Sequence, residues 1–341
     1  MPEIRPEGLR WRLSDQGGDE GRLFTDFAPE RHVGVGEYRG LEFIHVEAVR
    51  VLNRVPASSR MPFRWTMNAY RGCSHACCYC FARPTHAHLG LDIGKDFESK
   101  IVVKVNAIER VRAELASSRW RREAVAMGTN TDPYQLGEGR YHLTRGIVQS
   151  LADARNDFSI LTKSTLVLRD LELLVWAAKR CSVRLAFSIG TLDQQVAQLT
   201  EPGAPPPKRR LAALERVRAA GLSCGVLVAP VIPGLSDAED EIASVVSAVR
   251  AAGATSVHVI PLHLRPGVRE HYFGWLEEHR PDLLALHHER FGRRSEQRPA
   301  IRQRLGALAA SNRTGPDGAH RQPPPRRRVA NTGALEQLPL F

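Results

Sequence analysis

Arg71-Gly-Cys-Ser-His-Ala-Cys-Cys-Tyr-Cys-Phe-Ala-Arg83 holds four of the six cysteines of a 341-residue chain. Cys73, Cys77 and Cys80 stand in the pattern C-x3-C-x2-C, and Tyr79 directly precedes the last of them. Three thiolates this close can hold three irons of a [4Fe–4S] cluster. The fourth iron is left without a protein ligand, so a small molecule has to complete it. Other uses of thiols fit less well. A structural zinc site takes four ligands in paired spacing; there is no second C-x2-C pair, and His75, His86 or His88 would have to serve. A disulfide framework belongs to short, cysteine-dense chains. A ferredoxin-type cluster needs a fourth cysteine. Cys78 adjoins Cys77, and both thiolates can hardly serve one cube, so Cys78 reads as a small buried hydrophobe.

Around this loop, short apolar runs alternate with stretches of helical spacing. Residues 63–68 alternate in polarity like a strand that delivers the chain into the cysteines. Downstream, strands are predicted at 101–105, 124–128, 158–162, 183–188, 222–229 and 256–261. Helices are predicted at 107–115, 144–154, 168–179, 211–220 and 237–252, the last with an acidic first turn. Such alternation predicts parallel βαβ units. About six units fit between Pro62 and Arg265, too few for a closed eight-fold barrel. Polar residues gather just after the apolar runs, at the C-terminal strand ends where barrel active sites form. Residues 1–60 read as an irregular lead-in with a strand and turn within 41–51, residues 61–290 as the core, and residues 291–341 as a basic tail.

The cysteine pattern resembles the signature of the radical S-adenosylmethionine (SAM) enzymes. Asn68-Ala-Tyr-Arg-Gly-Cys73, Gly128-Thr-Asn-Thr-Asp-Pro-Tyr-Gln135, Leu161-Thr-Lys-Ser164 and Val228-Ala-Pro-Val-Ile-Pro-Gly234 together resemble its spore-photoproduct-lyase-like branch, in particular uncharacterised actinobacterial-type members. The resemblance covers residues 60–265. It implies an α/β chain: an open (β/α)6 radical-SAM partial barrel with an irregular N-terminal lead-in and a flexible basic C-terminal tail. It also implies two cofactors, a [4Fe–4S] cluster on Cys73, Cys77 and Cys80, and SAM chelating the open iron. In the family an electron from the cluster cleaves SAM to methionine and a 5′-deoxyadenosyl radical, which abstracts hydrogen from a substrate.

The same resemblance implies residue roles. Tyr79 lies against the adenine of SAM. Lys163, at the end of the strand 158–162, pairs with the SAM carboxylate in a charge-assisted contact. Ser188 serves the carboxylate or ribose, and Ala229 and Pro230 form part of the adenine wall. Where many relatives carry a Gly-Gly-Glu-like segment for the SAM ammonium, Thr129 and Thr131 offer hydroxyls and carbonyls, Thr131 first. Asp132 is either a ligand contact or a turn residue before Pro133. Spore photoproduct lyases split a DNA thymine lesion. They carry a cysteine beside the SAM-binding residue of the second strand and a tyrosine after the third cluster cysteine. Asn130, Asp132 and Phe81 stand at those places here, so the resemblance supports radical generation and not that lesion.

The net charge of +11 is unevenly spread. Between Arg290 and Arg328 there are eleven arginines against Glu296 and Asp317, which is +9 and leaves +2 for all other residues. A basic, proline-containing arm is a nucleic-acid footprint. The last residues, Gln337-Leu-Pro-Leu-Phe341, resemble the peptide by which bacterial polymerases and repair proteins dock on the replication sliding clamp. An electron donor is also required. The apolar fraction of 43% supports a large core. No run of about 18 apolar residues predicts a membrane span, and Met1 to Leu9 hold no apolar signal region, so a cytoplasmic enzyme without a membrane partner is expected. The expected activity is radical SAM chemistry on DNA or another nucleic acid. The alternative is modification of a peptide or protein partner, with the tail as a docking element. An iron–sulfur protein without SAM chemistry is disfavoured by the open coordination site.

Overall fold

Apolar, β-branched runs become strands and the helical spacings between them become crossovers, over the residues that this computed structural model describes: 30–59, 61–291 and 306–307. Among them the strands are β1 (Glu30–Val33), β2 (Glu42–Val46), β3 (Leu52–Arg54), β4 (Trp65–Met67), β5 (Tyr70–Arg71), β6 (Lys100–Lys104), β7 (Val125–Met127), β8 (Phe158–Thr162), β9 (Val183–Ser188), β10 (Cys224–Val231) and β11 (Val257–Pro261). The larger sheet runs β11-β10-β9-β8-β7-β4-β3. Its neighbours are parallel from β4 to β11, and β3 closes one edge antiparallel to β4. Helices Ala107–Ala116, Leu143–Asp153, Leu171–Ala178, Pro207–Ala219 and Glu239–Ala251 lie in the successive connections. This is the expected α/β partial barrel, six parallel strands laid down in chain order and left open.

The core sits between the strands and this helical layer. Met127, Phe158, Ile160, Leu185, Phe187, Val226 and Val228 pack with Ile147, Leu151, Leu174, Leu214, Val217, Val245 and Val249. Helix Leu143–Asp153 shows why the spacing works: Leu143, Ile147, Val148 and Leu151 fall on one face and are buried. Each such side chain contributes roughly 1.5–3 kcal/mol. A second cluster covers the cysteine loop. Tyr272, Phe273 and Leu276 of helix Val268–His279 pack with Cys77, Cys78, Tyr79, Ile232 and Leu235.

One strand lies elsewhere than its pattern suggests. Residues 101–105 read as a member of the βαβ series, but β6 joins a separate sheet of order β1-β2-β6-β5. It pairs parallel with β2, Phe43 beside Ile101 and Ile44 beside Val102, and antiparallel with β5, Tyr70 beside Val103. The chain leaves the cysteine loop alongside its own entry strand, and Ile101, Val102 and Val103 are buried on both faces, so β6 needs a partner on its other edge. The lead-in supplies it. The described part of that lead-in is therefore structured: β1 and β2 build the small sheet and β3 edges the barrel. No helix among the described residues is long and apolar enough to cross a membrane. Nearly all of the segment from Arg290 to Arg328, and the peptide from Gln337 to Phe341, lie outside the described residues.

Candidate active site

The cysteine loop is held by protein groups from every side. Cys73 N–H donates to Phe97 O at 2.9 Å, Cys78 N–H to Thr200 O at 3.0 Å and Gly203 N–H to His75 O at 3.1 Å. The fully buried Arg83 faces back into its own loop. Its guanidinium donates to Cys77 O at 2.8 and 3.0 Å, to Ala76 O at 3.3 Å and to Ile93 O and Gly94 O at 3.0 Å each, and it pairs with Glu98. From the β7 end, Thr131 Oγ1 donates to Gly72 O at 2.6 Å. Gln135, also fully buried, donates to Gly72 O and Thr131 Oγ1 and accepts from Ser74 N–H. Two glycines are required here. Gly72 has φ +80, and a Cβ there would meet Phe97 O at 2.9 Å; a Cβ on Gly203 would meet Ser74 O at 1.9 Å.

A polar cluster crosses the neighbouring strand ends. Lys163, just past β8, donates from Nζ to Ser188 Oγ at 2.8 Å, and Ser188 Oγ donates to Ala229 O at 2.9 Å. Lys163 Nζ lies 3.7 Å from Glu201 and 5.8 Å from the centre of the Tyr79 ring. Tyr79 Oη donates to Glu201. Arg210 pairs with Glu201 at 2.5 Å and donates to Ser188 O at 3.0 Å and Pro205 O at 2.6 Å. Asp132 ties the β7 and β8 ends together: it accepts from Tyr134 N–H at 2.9 Å, Thr162 Oγ1 at 2.6 Å and Lys163 N–H at 2.7 Å. These are the contacts of a turn residue. His75 Nδ1 stands 3.4 Å away.

Burial sets the electrostatics, and specific partners modify it. Burial works against the Lys163 ammonium, but Glu201 and further negative groups outweigh it and hold its pKa above the ordinary value. Burial works against the Glu201 carboxylate too, and Arg210 and Lys163 outweigh it in turn, leaving its pKa low. His75 is pushed down by burial despite Asp132.

The cysteine loop fits an iron–sulfur cluster on its own chemistry. All six cysteines are free thiols. Burial pushes Cys77 up to about 12. Burial, Asp132 and the other two cysteines push Cys73 well above its ordinary value, and burial raises Cys80. Three such thiols within one another's fields become thiolates together only against a strongly positive centre. Three soft sulfurs match a cluster that keeps one iron open.

The structure thus gathers Tyr79, Lys163, Ser188 and Ala229 into one contact network next to Cys77, with Pro230 following in β10. Thr131 is committed to the cysteine loop. Thr129 Oγ1 accepts from Asn68 Nδ2 at 3.3 Å. Glu201, Arg210, Gln135 and Arg83 escaped sequence reasoning. Glu201 and Arg210 bound the polar stretch Glu201-Pro-Gly-Ala-Pro-Pro-Pro-Lys-Arg-Arg210, which has the composition of a solvated loop; its Glu-Pro-Gly turn is the one local hint.

Comparisons with known proteins bear on the family and the fold. The family model of the radical SAM superfamily matches residues 67–246. An uncharacterised protein of Mycobacterium tuberculosis is 43% identical over 304 residues, 88% of this chain and 89% of the relative. An uncharacterised protein of Methanocaldococcus jannaschii is 30% identical over 201 residues, 58% of this chain and 71% of the relative. Spore photoproduct lyase complexed with dinucleoside spore photoproduct has a similar structure, with a TM-score of 0.52 at 18% identity over 70% of this chain and 67% of that one. A lyase variant with bound AdoMet and dinucleoside spore photoproduct gives 0.50 at 19% identity, over 65% of this chain and 64% of that one, a little under two thirds of the lyase. At these identities the likeness to the lyases is one of fold.

Proposed function

The chain belongs to the radical SAM superfamily, and from that premise we propose that this enzyme acts on DNA or another nucleic acid. Its cofactors are those of the family, a [4Fe–4S] cluster and SAM, which together supply a 5′-deoxyadenosyl radical able to take hydrogen from a substrate. In this reading Cys73, Cys77 and Cys80 ligate three irons, and Arg83, Gln135 and the Gly72 turn keep the loop in shape. The Lys163 ammonium faces the SAM carboxylate, with Ser188 beside it. Thr129 serves the SAM ammonium through a hydroxyl lone pair, and Thr129 and Thr131 both through their backbone carbonyls, since the Thr131 hydroxyl is held by Gly72 and Gln135. Tyr79, fixed by Glu201, lies against adenine, and Ala229 and Pro230 form the facing wall.

The observation that carries the nucleic-acid reading is the segregation of charge: +9 of the net +11 falls between Arg290 and Arg328. Arginines in such an arm neutralise phosphates without sequence preference. The lyases that share the fold, two of them reported above with dinucleoside spore photoproduct, give a precedent for a nucleic-acid substrate on this barrel. The test is anaerobic reconstitution, followed by assay of 5′-deoxyadenosine with and without damaged DNA, on the full chain and on a chain ending at Arg290. We expect DNA to stimulate cleavage, and the truncated chain to bind DNA more weakly with a shallower salt dependence. An unchanged salt slope removes the arm from the contact. Stimulation by a protein fraction and not by DNA favours a peptide or protein substrate.

The tail carries a second partner in this proposal. A peptide of residues 334–341 should bind a bacterial sliding clamp through Gln337, Leu340 and Phe341, at about micromolar affinity, roughly −8 kcal/mol. Alanine at Gln337 and Phe341 should remove binding. No saturable binding of the labelled peptide would end the link to replication.

A further inference from the structure

Outside the cysteine loop, the small sheet gathers a second set of metal-ligating side chains. The antiparallel register of β1 and β2 sets Glu30 opposite His45. His32, two residues along β1, shares the face of Glu30 because side chains alternate along a strand. One ligand atom from each of the three lies within 4.8 Å of the others. The two imidazoles lie with centroids 4.1 Å apart, their planes tilted by 38°.

Two details separate this group from an ordinary surface cluster. His32 Nε2 is shielded from solvent yet has no hydrogen-bond partner, and an orphaned polar atom of that kind calls for an explanation. It lies 3.5 Å from Glu30 Oε2. A tetrahedral ion with bonds of about 2.0–2.1 Å has ligand–ligand edges of about 3.3–3.4 Å, so this pair already spans one edge. His45 Nε2 lies 2.7 Å from Tyr141 Oη. With that nitrogen donating its proton to the tyrosine, Nδ1 carries the lone pair, and an outer oxygen holding the far nitrogen is how ligating imidazoles are oriented.

We propose that Glu30, His32 and His45 form a site for one divalent zinc-class cation that staples β1 to β2, with Tyr141 as the outer partner of His45. Two imidazoles and one carboxylate suit zinc and its transition-metal neighbours and disfavour calcium or magnesium, which take oxygen ligands. Three protein ligands leave a fourth position for water. The staple has a purpose in the fold: β1 is a four-residue edge strand paired on one side only.

The experiment uses tag-free, full-length protein with its cluster reconstituted, so that Cys73, Cys77 and Cys80 are occupied. It is titrated anaerobically with Zn(II) against a chromophoric chelator, and bound zinc is counted after desalting. One zinc per chain is expected. His32→Ala and His45→Ala should weaken binding by more than the roughly 10- to 100-fold that loss of an outer partner brings, and Tyr141→Phe by about 10-fold. Reductive SAM cleavage should be unchanged in all three. Glu30→Gln leaves the strand its shape; it should lose the zinc-dependent rise in Tm that binding to the folded state gives the parent. Equal zinc binding by the parent and both histidine variants, no zinc on the cluster-loaded parent, or full affinity in Glu30→Gln would each overturn the site.

Discussion

Replacing Glu201 by glutamine tests the electrostatic logic of the cluster beside Cys77. The change keeps the side-chain shape and a carbonyl for Tyr79 Oη, and it removes the charge facing Arg210 and Lys163. Arg210, its side chain 1% exposed, is left with the neutral acceptors Ser188 O and Pro205 O. Lys163 is left with Ser188 Oγ. Removing one partner from a buried ion pair costs about 3–5 kcal/mol, and the surviving hydrogen bonds place this variant near the low end, about 3 kcal/mol. At about 2–4 °C per kcal/mol for a body of this size, Tm falls by about 6–12 °C. The effect on Lys163 has a definite sign. Burial opposes its ammonium and Glu201 leads the groups that outweigh burial; without Glu201 the pKa drops. The ammonium's attraction for the SAM carboxylate is complete below that lowered pKa and is lost as pH rises through it. The variant should therefore bind SAM progressively more weakly toward alkaline pH, whereas the parent holds its affinity over the same range. Anaerobic thermal unfolding and SAM titration, read from the EPR spectrum of the reduced cluster, give both quantities. Glu201→Gln combined with Lys163→Met should recover part of the lost stability, since the stranded ammonium goes. A Tm within about 2 °C of the parent, or parallel pH profiles, would refute the reasoning.

Cys73→Ala, Cys77→Ala and Cys80→Ala should each lose the cluster, whereas Cys78→Ala, at a side chain packed against Tyr272 and Leu276 in the apolar cluster, should keep it; iron and sulfide counts decide. Lys163→Ala should retain the cluster and lower SAM affinity by about 10- to 150-fold, the equivalent of a charge-assisted hydrogen bond of about 1.5–3 kcal/mol; an unchanged SAM-induced EPR shift argues against that role. Lys104 is buried with its Nζ on Asn68 O at 2.8 Å, and burial, followed by Arg71, lowers its pKa to about 7. Between that value and the unfolded value of about 10.4, the unfolded chain binds the extra proton, so stability should rise with pH by about 1.4 kcal/mol per unit relative to Lys104→Met. Denaturation midpoints of the two proteins from pH 7.5 to 9.5 that run parallel would contradict a buried amine.

The barrel was legible because its signals are local. Residues 158–162 and 183–188 put apolar residues at alternate positions over one strand's length, and helices such as Leu143–Asp153 repeat their apolar residues on one face. The cysteine loop was legible because ligand spacing is a property of sequence. The small sheet was not, since β6 pairs with β2 across more than fifty intervening residues and its run Ile101-Val102-Val103 looks the same whichever sheet receives it. Lys163 and Ser188 could be placed by position, one just past β8 and the other at the last residue of β9. Glu201 and Arg210 could not: nothing in a proline-rich, charged stretch announces that its two ends turn inward and bury one ion pair. Thr131 shows a subtler limit. Its position at a strand end was readable, but the commitment of its hydroxyl to Gly72 depends on where the cysteine loop folds back.

The anchors of that loop have a consequence for how mutation reaches the cluster site. Phe97, Thr200, Gly203, Gln135 and Arg83 grip its backbone. Most of them stand far from the cysteines in sequence, so the positions of three thiols depend on residues that ligate nothing. A substitution at such an anchor acts on ligand geometry without touching a ligand, and its cost falls on the metal centre before it falls on the barrel.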